Sequence, residues 1–144
     1  MSGTRTDPYK NYNFLVEIDG IQTAGFSSCN IPESRIEVIE YREGSDLSNS
    51  TRKLPGRVKY SNLLLRRGLT SSLTLWTWYK NVLAGNLDRR TVVVTLLDES
   101  RNPIIKWTFI NAWPTRYEGP SLQAKGDDVA IESLEIAHEG MELA

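Results

Sequence analysis

Short apolar runs of period two, separated by turn residues and interrupted by a single helical stripe, govern what this sequence can fold into. Over 12–18, Tyr12, Phe14, Val16 and Ile18 alternate with polar Asn13 and Glu17, the pattern of a half-buried strand. Asp19-Gly20 is a turn pair, and 23–29 returns as a second strand. Over 35–41 the apolar phase changes between Val38 and Ile39, which predicts a bulge or burial on both sides. A strand over 58–66 places Val58, Tyr60 and Leu64 on one face. Residues 92–97 are apolar almost throughout and predict a strand covered on both faces. Across a turn at 98–103, residues 104–112 form its hairpin partner, with Ile105, Trp107 and Phe109 on one side. Trp113-Pro114 predicts a bend and Gly119-Pro120 a break. A last strand over 129–138 switches phase near Ser133, from Val129 and Ile131 to Leu134 and Ile136.

The helix is predicted over 71–84, where Leu75, Trp78, Tyr79 and Val82 recur at helical spacing. Thr70 or Ser71 would cap its start, and Gly85 stands where a left-handed C-terminal residue is wanted. Such a broad aromatic stripe is core packing rather than a cofactor box. About seven strands and one helix predict a mainly β chain, a β-sandwich or small barrel with the helix packed on it. The 144 residues suit a single domain over 1–144, preceded by a loose arm at 1–10. Residues 42–57 are polar, rich in turn formers and predicted to form one long extended segment, a length that in a compact domain is usually functional.

Chemistry-bearing groups are sparse. The one histidine, His138, has no motif to bring it to Cys29 or to a serine, so no catalytic residue is assigned. Cys29 reads as a small buried hydrophobe and His138 as structural. One His and one Cys make no zinc site, and the Asp127-Asp128 pair after Gly126 reads as a turn rather than a divalent-ion site. Gly119, Gly126 and Gly140 open no helix, so no phosphate loop and no cofactor are expected. There is neither an apolar signal segment at the start nor a run long enough to cross a bilayer, which predicts synthesis in the cytoplasm.

Charge is uneven although the net value is −1. Arg52, Lys53, Arg57, Lys59, Arg66 and Arg67 occur with no carboxylate among them, whereas Asp127, Asp128, Glu132, Glu135, Glu139 and Glu142 occur with no cation. Nucleic-acid binding, a plain solvated face, and complementarity between copies all fit this pattern; the last suits head-to-tail association. A carbohydrate- or peptide-binding sandwich using an exposed Trp76, Trp78, Trp107 or Trp113 is the reading from another class.

Several motifs in order carry a resemblance. Asp7-Pro-Tyr-Lys-Asn-Tyr-Asn-Phe-Leu-Val-Glu-Ile-Asp-Gly20, Ala24-Gly-Phe-Ser27 and Val38-Ile-Glu-Tyr-Arg-Glu-Gly44 precede Arg52-Lys-Leu-Pro-Gly56 and Lys59-Tyr-Ser-Asn-Leu-Leu-Leu-Arg-Arg-Gly-Leu-Thr70. Trp78-Tyr79, Asn111-Ala-Trp-Pro114, Lys125-Gly-Asp-Asp-Val-Ala-Ile131 and Ala137-His-Glu-Gly140 follow. Together they resemble contractile-phage tail tube proteins, and are most similar to the inner tube proteins of extracellular contractile injection systems. The resemblance implies a non-enzymatic subunit of hexameric rings, in which strands of neighbours join into one barrel around a channel. It implies rings stacked into a tube inside a contracting sheath, with baseplate, spike and terminator proteins at the ends and room for a cargo effector in the lumen. A baseplate-proximal tube initiator and a type VI-like tube protein share that pattern. By the same resemblance 42–57 reaches a neighbouring ring. Gly44, Asp46, Leu47, Arg52, Lys53, Leu54, Pro55, Gly56 and Arg57 then become expected contacts, with Asp127, Asp128 and Glu139 as candidate acidic partners on another copy.

Overall fold

A computed structural model describes residues 9, 13–23, 25–42, 44, 51–126 and 128–144. Apart from Tyr9, the predicted arm at 1–10 lies outside them. The elements are β1 (Phe14–Ile18), β2 (Ile21–Thr23), β3 (Phe26–Asn30), β4 (Ser34–Tyr41), β5 (Arg52–Tyr60), β6 (Leu63–Gly68), α1 (Thr74–Leu83), β7 (Arg90–Leu97), β8 (Pro103–Glu118), β9 (Ile131–Ala137) and β10 (Gly140–Leu143). One large sheet runs in the order β2-β1-β7-β8-β9-β6-β3, with β10 beside β8, while β4 and β5 pair only with each other. The strands at the two ends of that path, β2 and β3, are consecutive in the chain, so the sheet rolls back on itself into a barrel-like body.

Strand β8 organises the roll. Its first part pairs with β7 (Val92↔Phe109) and its second part with β9 (Trp113↔Ala137). Between them Asn111 takes φ 50°, a conformation that asparagine tolerates better than most residues, and its Nδ2 donates to Glu139 Oε2 at 2.7 Å. β10 continues the line of β9 along β8, Gly140 facing Ile110. The bend expected at Trp113-Pro114 is absent: Pro114 lies inside β8, beside a register shift where a missing N–H is tolerated. Gly119-Pro120 does end the strand.

Val16, Leu63, Leu65, Phe109, Leu134 and Ile136 meet Leu75 and Trp78 of the helix in one core. Trp78 is fully buried, so its indole N–H needs a partner, and it donates to the Asp88 carbonyl at 2.7 Å. The Arg90 guanidinium sits 5.0 Å from the Trp78 ring and holds the Asp88 carboxylate at 2.7 Å, lowering its pKa chiefly through that hydrogen bond. Neither Thr70 nor Ser71 caps the helix: Leu73 occupies the cap position with no side-chain bond, and Thr70 Oγ1 instead accepts from the Ser72 N–H at 3.2 Å. Gly85 does turn left-handed, at φ 89°.

The phase switch expected in the last strand is absent too. Glu132, Leu134 and Ile136 all point inward in strict alternation. Glu132 fills an apolar position because Arg67, also buried, donates to it from Nε at 2.5 Å. Tyr117 Oη donates to the other carboxylate oxygen at 2.6 Å, and Arg67 Nη2 reaches the Ser72 carbonyl at 3.0 Å. A buried charge pair of this kind requires that every remaining donor find an acceptor, and the network joins β6, β8, β9 and the entry to α1.

Candidate assembly interface

The segment expected to be one extended loop over 42–57 is corrected in its second half. Residues 52–57 belong to β5, paired with β4 from Ser34↔Tyr60 to Tyr41↔Arg52. Exposure on both faces and the Pro55-Gly56 pair gave this strand the composition of a loop. Its pairing makes it a strand, with Pro55 beside a bulge opposite Ile36 and Val38. The extra residue is thus on β5, opposite Glu37, and not within β4 between Val38 and Ile39 where a bulge was one expectation. The single strand expected over 58–66 is likewise two, β5 and β6, separated by Ser61 and Asn62.

Those two strands keep one pairing register across that break. Cys29↔Leu65 and Asn30↔Leu64 in the body continue into Ser34↔Tyr60 and Arg35↔Lys59 in one unbroken register. Across the joint the Ser61 N–H donates to the Glu33 carbonyl at 3.0 Å, and the Glu33 N–H to Ser61 Oγ at 2.7 Å. β3–β4 and β5–β6 are therefore one two-stranded ribbon: its proximal half is part of the barrel, and its distal half is an arm standing off it. Pro32, buried, marks the elbow.

The arm buries little of itself. Cross-strand pairing sets Ile36, Val38, Pro55 and Val58 on one face and Ile39, Tyr41 and Leu54 on the other. Ile36, Val38, Ile39, Leu54 and Val58 are each about half exposed or more, Val38 reaching 63%. A lone two-stranded hairpin is marginal in water, and contiguous exposed apolar side chains mark a binding surface. Gly56 fits because a Cβ there would lie 2.9 Å from Ile39 Cγ1. Arg35, Arg52, Lys53, Arg57 and Lys59 outnumber Glu37 and Glu40, and Lys59 Nζ pairs with Glu37 at 2.5 Å.

At the elbow, His138 ties the ribbon to the body. Its Nε2 lies 3.0 Å from the Ser61 carbonyl and its Nδ1 3.2 Å from that of Gly140, and the ring packs 5.1 Å from Phe109. Beside the elbow a groove of about 530 Å³ is lined by Phe14, Cys29, Leu96 and Trp107. Burial pushes the Cys29 thiol up to about 12, so the thiolate a nucleophile needs is suppressed.

Of the expected contact residues, Gly44 is an exposed turn residue, and Arg52, Lys53, Leu54, Pro55, Gly56 and Arg57 all lie on the arm. Asp46, Leu47 and Asp127 lie outside the described residues. The two remaining acidic candidates do not cluster. Asp128 is exposed at the end of the body away from the elbow, whereas Glu139 stands at the β9–β10 joint, 3.8 Å from Arg89. Ile36, Val38, Ile39 and Val58 were not among the expected contacts, yet they make up much of the exposed apolar surface of the arm. The signal was present in the phase change over 35–41, which marks a strand apolar on both faces. Of the four tryptophans only Trp76 is exposed, and it packs edge-on against Tyr117 at 5.2 Å.

No group of three or more His, Cys, Asp or Glu residues suited to a metal occurs among the described residues, and no helix there is long and apolar enough to cross a membrane. No curated protein matches the sequence. Solved structures do. A chain of the anti-feeding prophage baseplate, six-fold symmetrised, is 26% identical, with TM-score 0.84 and 97% of each chain covered. A chain of the PVC sheath-tube complex, an extracellular contractile injection system in its extended state, is 22% identical, with TM-score 0.85 over 95% of this chain and 91% of that one. A chain of the anti-feeding prophage tube-terminating cap is 20% identical, with TM-score 0.88 over 100% and 95%. The rolled sheet with its single helix is thus a tail-tube fold, and a family model matches it over residues 10–142. The chain belongs to the T4-like virus tail tube protein gp19 family.

Proposed function

We propose that this chain is the building block of the inner tube of a contractile phage-tail-like particle, a structural and non-enzymatic role. Copies form six-membered rings by joining sheet edges, which removes the unpaired strand edges that a single body exposes. Rings stack through the β4–β5 arm, with Gly44, Asp46, Leu47, Arg52, Lys53, Leu54, Pro55, Gly56 and Arg57 at or near the contact and Asp127, Asp128 and Glu139 as acidic partners. A sheath surrounds the tube, and baseplate and terminator proteins close its ends, as the assemblies containing the similar chains suggest. One observation carries this reading: an arm that is apolar on both faces and basic along its length, on a chain of the tail tube family. A soluble monomer gains nothing from it, whereas a subunit covered by its neighbours buries it.

Negative-stain electron microscopy of the purified chain tests the proposal. Six-fold rings or hollow tubes are expected, and deletion of residues 45–51 is expected to leave rings but shorten tubes. Persistent monomers at high protein concentration would overturn it.

A further inference from the structure

The ribbon passes from body to arm on few bonds. Between Asn30 and Ser34, and between Tyr60 and Leu63, the chain leaves the strands, and Glu33 and Ser61 hold the two sides together. His138, the one histidine of the chain, meets this gap from the β9–β10 joint. Its Nε2 faces the Ser61 carbonyl, at the foot of the arm, and its Nδ1 faces the Gly140 carbonyl, in the body. Both partners accept and neither donates, so a neutral ring satisfies one and turns a lone pair on the other. An imidazolium, with an N–H on each side, satisfies both. The ring is half-buried against the Tyr60 ring of β5 and the Phe109 ring of β8, which leaves a path for the proton. The charged groups that the surrounding elements bring near the joint are Glu33 at the elbow, Lys59 in β5, Glu135 in β9, Glu139 with Arg89, and Glu142 in β10. β8 has no charged residue over 107–115. Lys59 is paired with Glu37, Glu135 accepts from Asn62 Nδ2 at 2.9 Å and Glu139 from Asn111 Nδ2 at 2.7 Å.

We infer that His138 is a proton-operated latch on the arm: charged, it grips Ser61 from a ring anchored at Gly140, and neutral, it loses one end or the other of that bridge. Histidine is the side chain whose charge ordinarily changes between pH 5 and 8. Mild acid therefore sets the arm in the pose described above, and mild alkali lets the elbow bend. A histidine that only packed against Tyr60 and Phe109 would not need a carbonyl oxygen at each nitrogen. The inference rests on the proposed tube reading only for its use. An arm already fixed in one pose loses less freedom on meeting another copy, so assembly should run faster in mild acid.

Hydrogen exchange of the full chain at two pH values tests the latch. Amide protection over 34–41 and 52–60, corrected for the intrinsic effect of pH on exchange, should rise about five-fold from pH 8 to pH 5.5, the worth of one net hydrogen bond. Protection over β7 and β8 should not change. In His138→Gln, whose amide stays uncharged across that range, the rise should vanish while the circular dichroism spectrum is kept. Equal protection at both pH values in the unsubstituted chain, or the same rise in His138→Gln, overturns the latch. The unsubstituted chain decides alone if that variant does not fold. Light scattering at the same two pH values gives the rate of assembly, and a ratio of rates that His138→Gln leaves unaltered overturns the latch's part in assembly. An unsubstituted chain that assembles at neither pH overturns the proposed function, while the exchange result still decides the latch.

Discussion

His138 and Tyr60 pack ring against ring at the elbow, 5.3 Å between centroids and tilted by 51°. The contact joins the β9–β10 joint to the last residue of β5, so the pose of the arm is fixed by a residue of the body. With a carbonyl oxygen near each ring nitrogen, a neutral imidazole donates to only one of the two. His138→Ala should cost about 1–2 kcal/mol by loss of one buried contact and one net hydrogen bond. Hydrogen exchange should speed up over 34–60 and stay unchanged over β7 and β8. Equal acceleration everywhere would show that His138 serves the body rather than the elbow.

The Arg67–Glu132 pair should be costly to break and cheap to replace. Glu132→Ala leaves a guanidinium buried without its counter-charge, and denaturant melts should show a loss of about 3–5 kcal/mol. The double variant Arg67→Met with Glu132→Leu should recover most of that loss, because nothing charged is then buried. A double variant as unstable as the single one would mean that the hydrogen bonds from Arg67 to the helix entry matter more than the charge pair.

Alkali should weaken the fold through Tyr117 and Cys29. Burial, then the hydrogen bond to Glu132, raises Tyr117 from 10.0 to about 12. The folded state therefore holds the phenol proton more tightly than the unfolded chain does. Stability from this residue is complete below pH 10 and declines as pH climbs toward 12. Cys29, raised from 9.0 to about 12 by burial, acts with the same sign from pH 9 upward. Melting temperature measured against pH should fall across that range, and Tyr117→Phe with Cys29→Ala should flatten the slope.

Gly56→Val should separate folding from assembly. Its side chain would collide with Ile39 and with the Glu37 carbonyl, 3.1 Å from the Cβ position, and would spread the bulge. Overpacking of this kind costs about 1–3 kcal/mol locally. Body strands should keep their exchange protection and the melting temperature should change little, while microscopy finds short tubes or none.

Where one face of a strand meets the core and the other does not, the sequence displays the fact, as in Val16 and Ile18 against the Glu17 between them. The helical stripe was legible for the same reason, Leu75 and Trp78 being buried where spacing put them. Reading fails where burial is not apolar or pairing is not buried. Glu132 sits in the core because Arg67 neutralises it, and so it imitates a change of phase. The arm is a strand by virtue of its backbone ladder alone, so Arg52 to Gly56 looks like loop. Pro114 passes through β8 because a register shift removes the need for its N–H. Residues 52–57 were expected as contacts through the family resemblance and not through their composition, whereas the apolar positions of β4 only became a surface once the ribbon was seen to leave the body.

One ribbon shared between barrel and arm also decides how the body would meet a pull on the arm. A pull directed along β6 would act on it as a force parallel to its own length. β6 is bonded to β9 through register pairs from Leu63↔Ile136 to Gly68↔Ile131. A parallel force strains those rungs together, in shear, instead of peeling them from one end. Detaching the arm would mean sliding β6 past β9 with Arg67 still clamped to Glu132, so the joint resists endwise stress far better than its two-stranded width suggests.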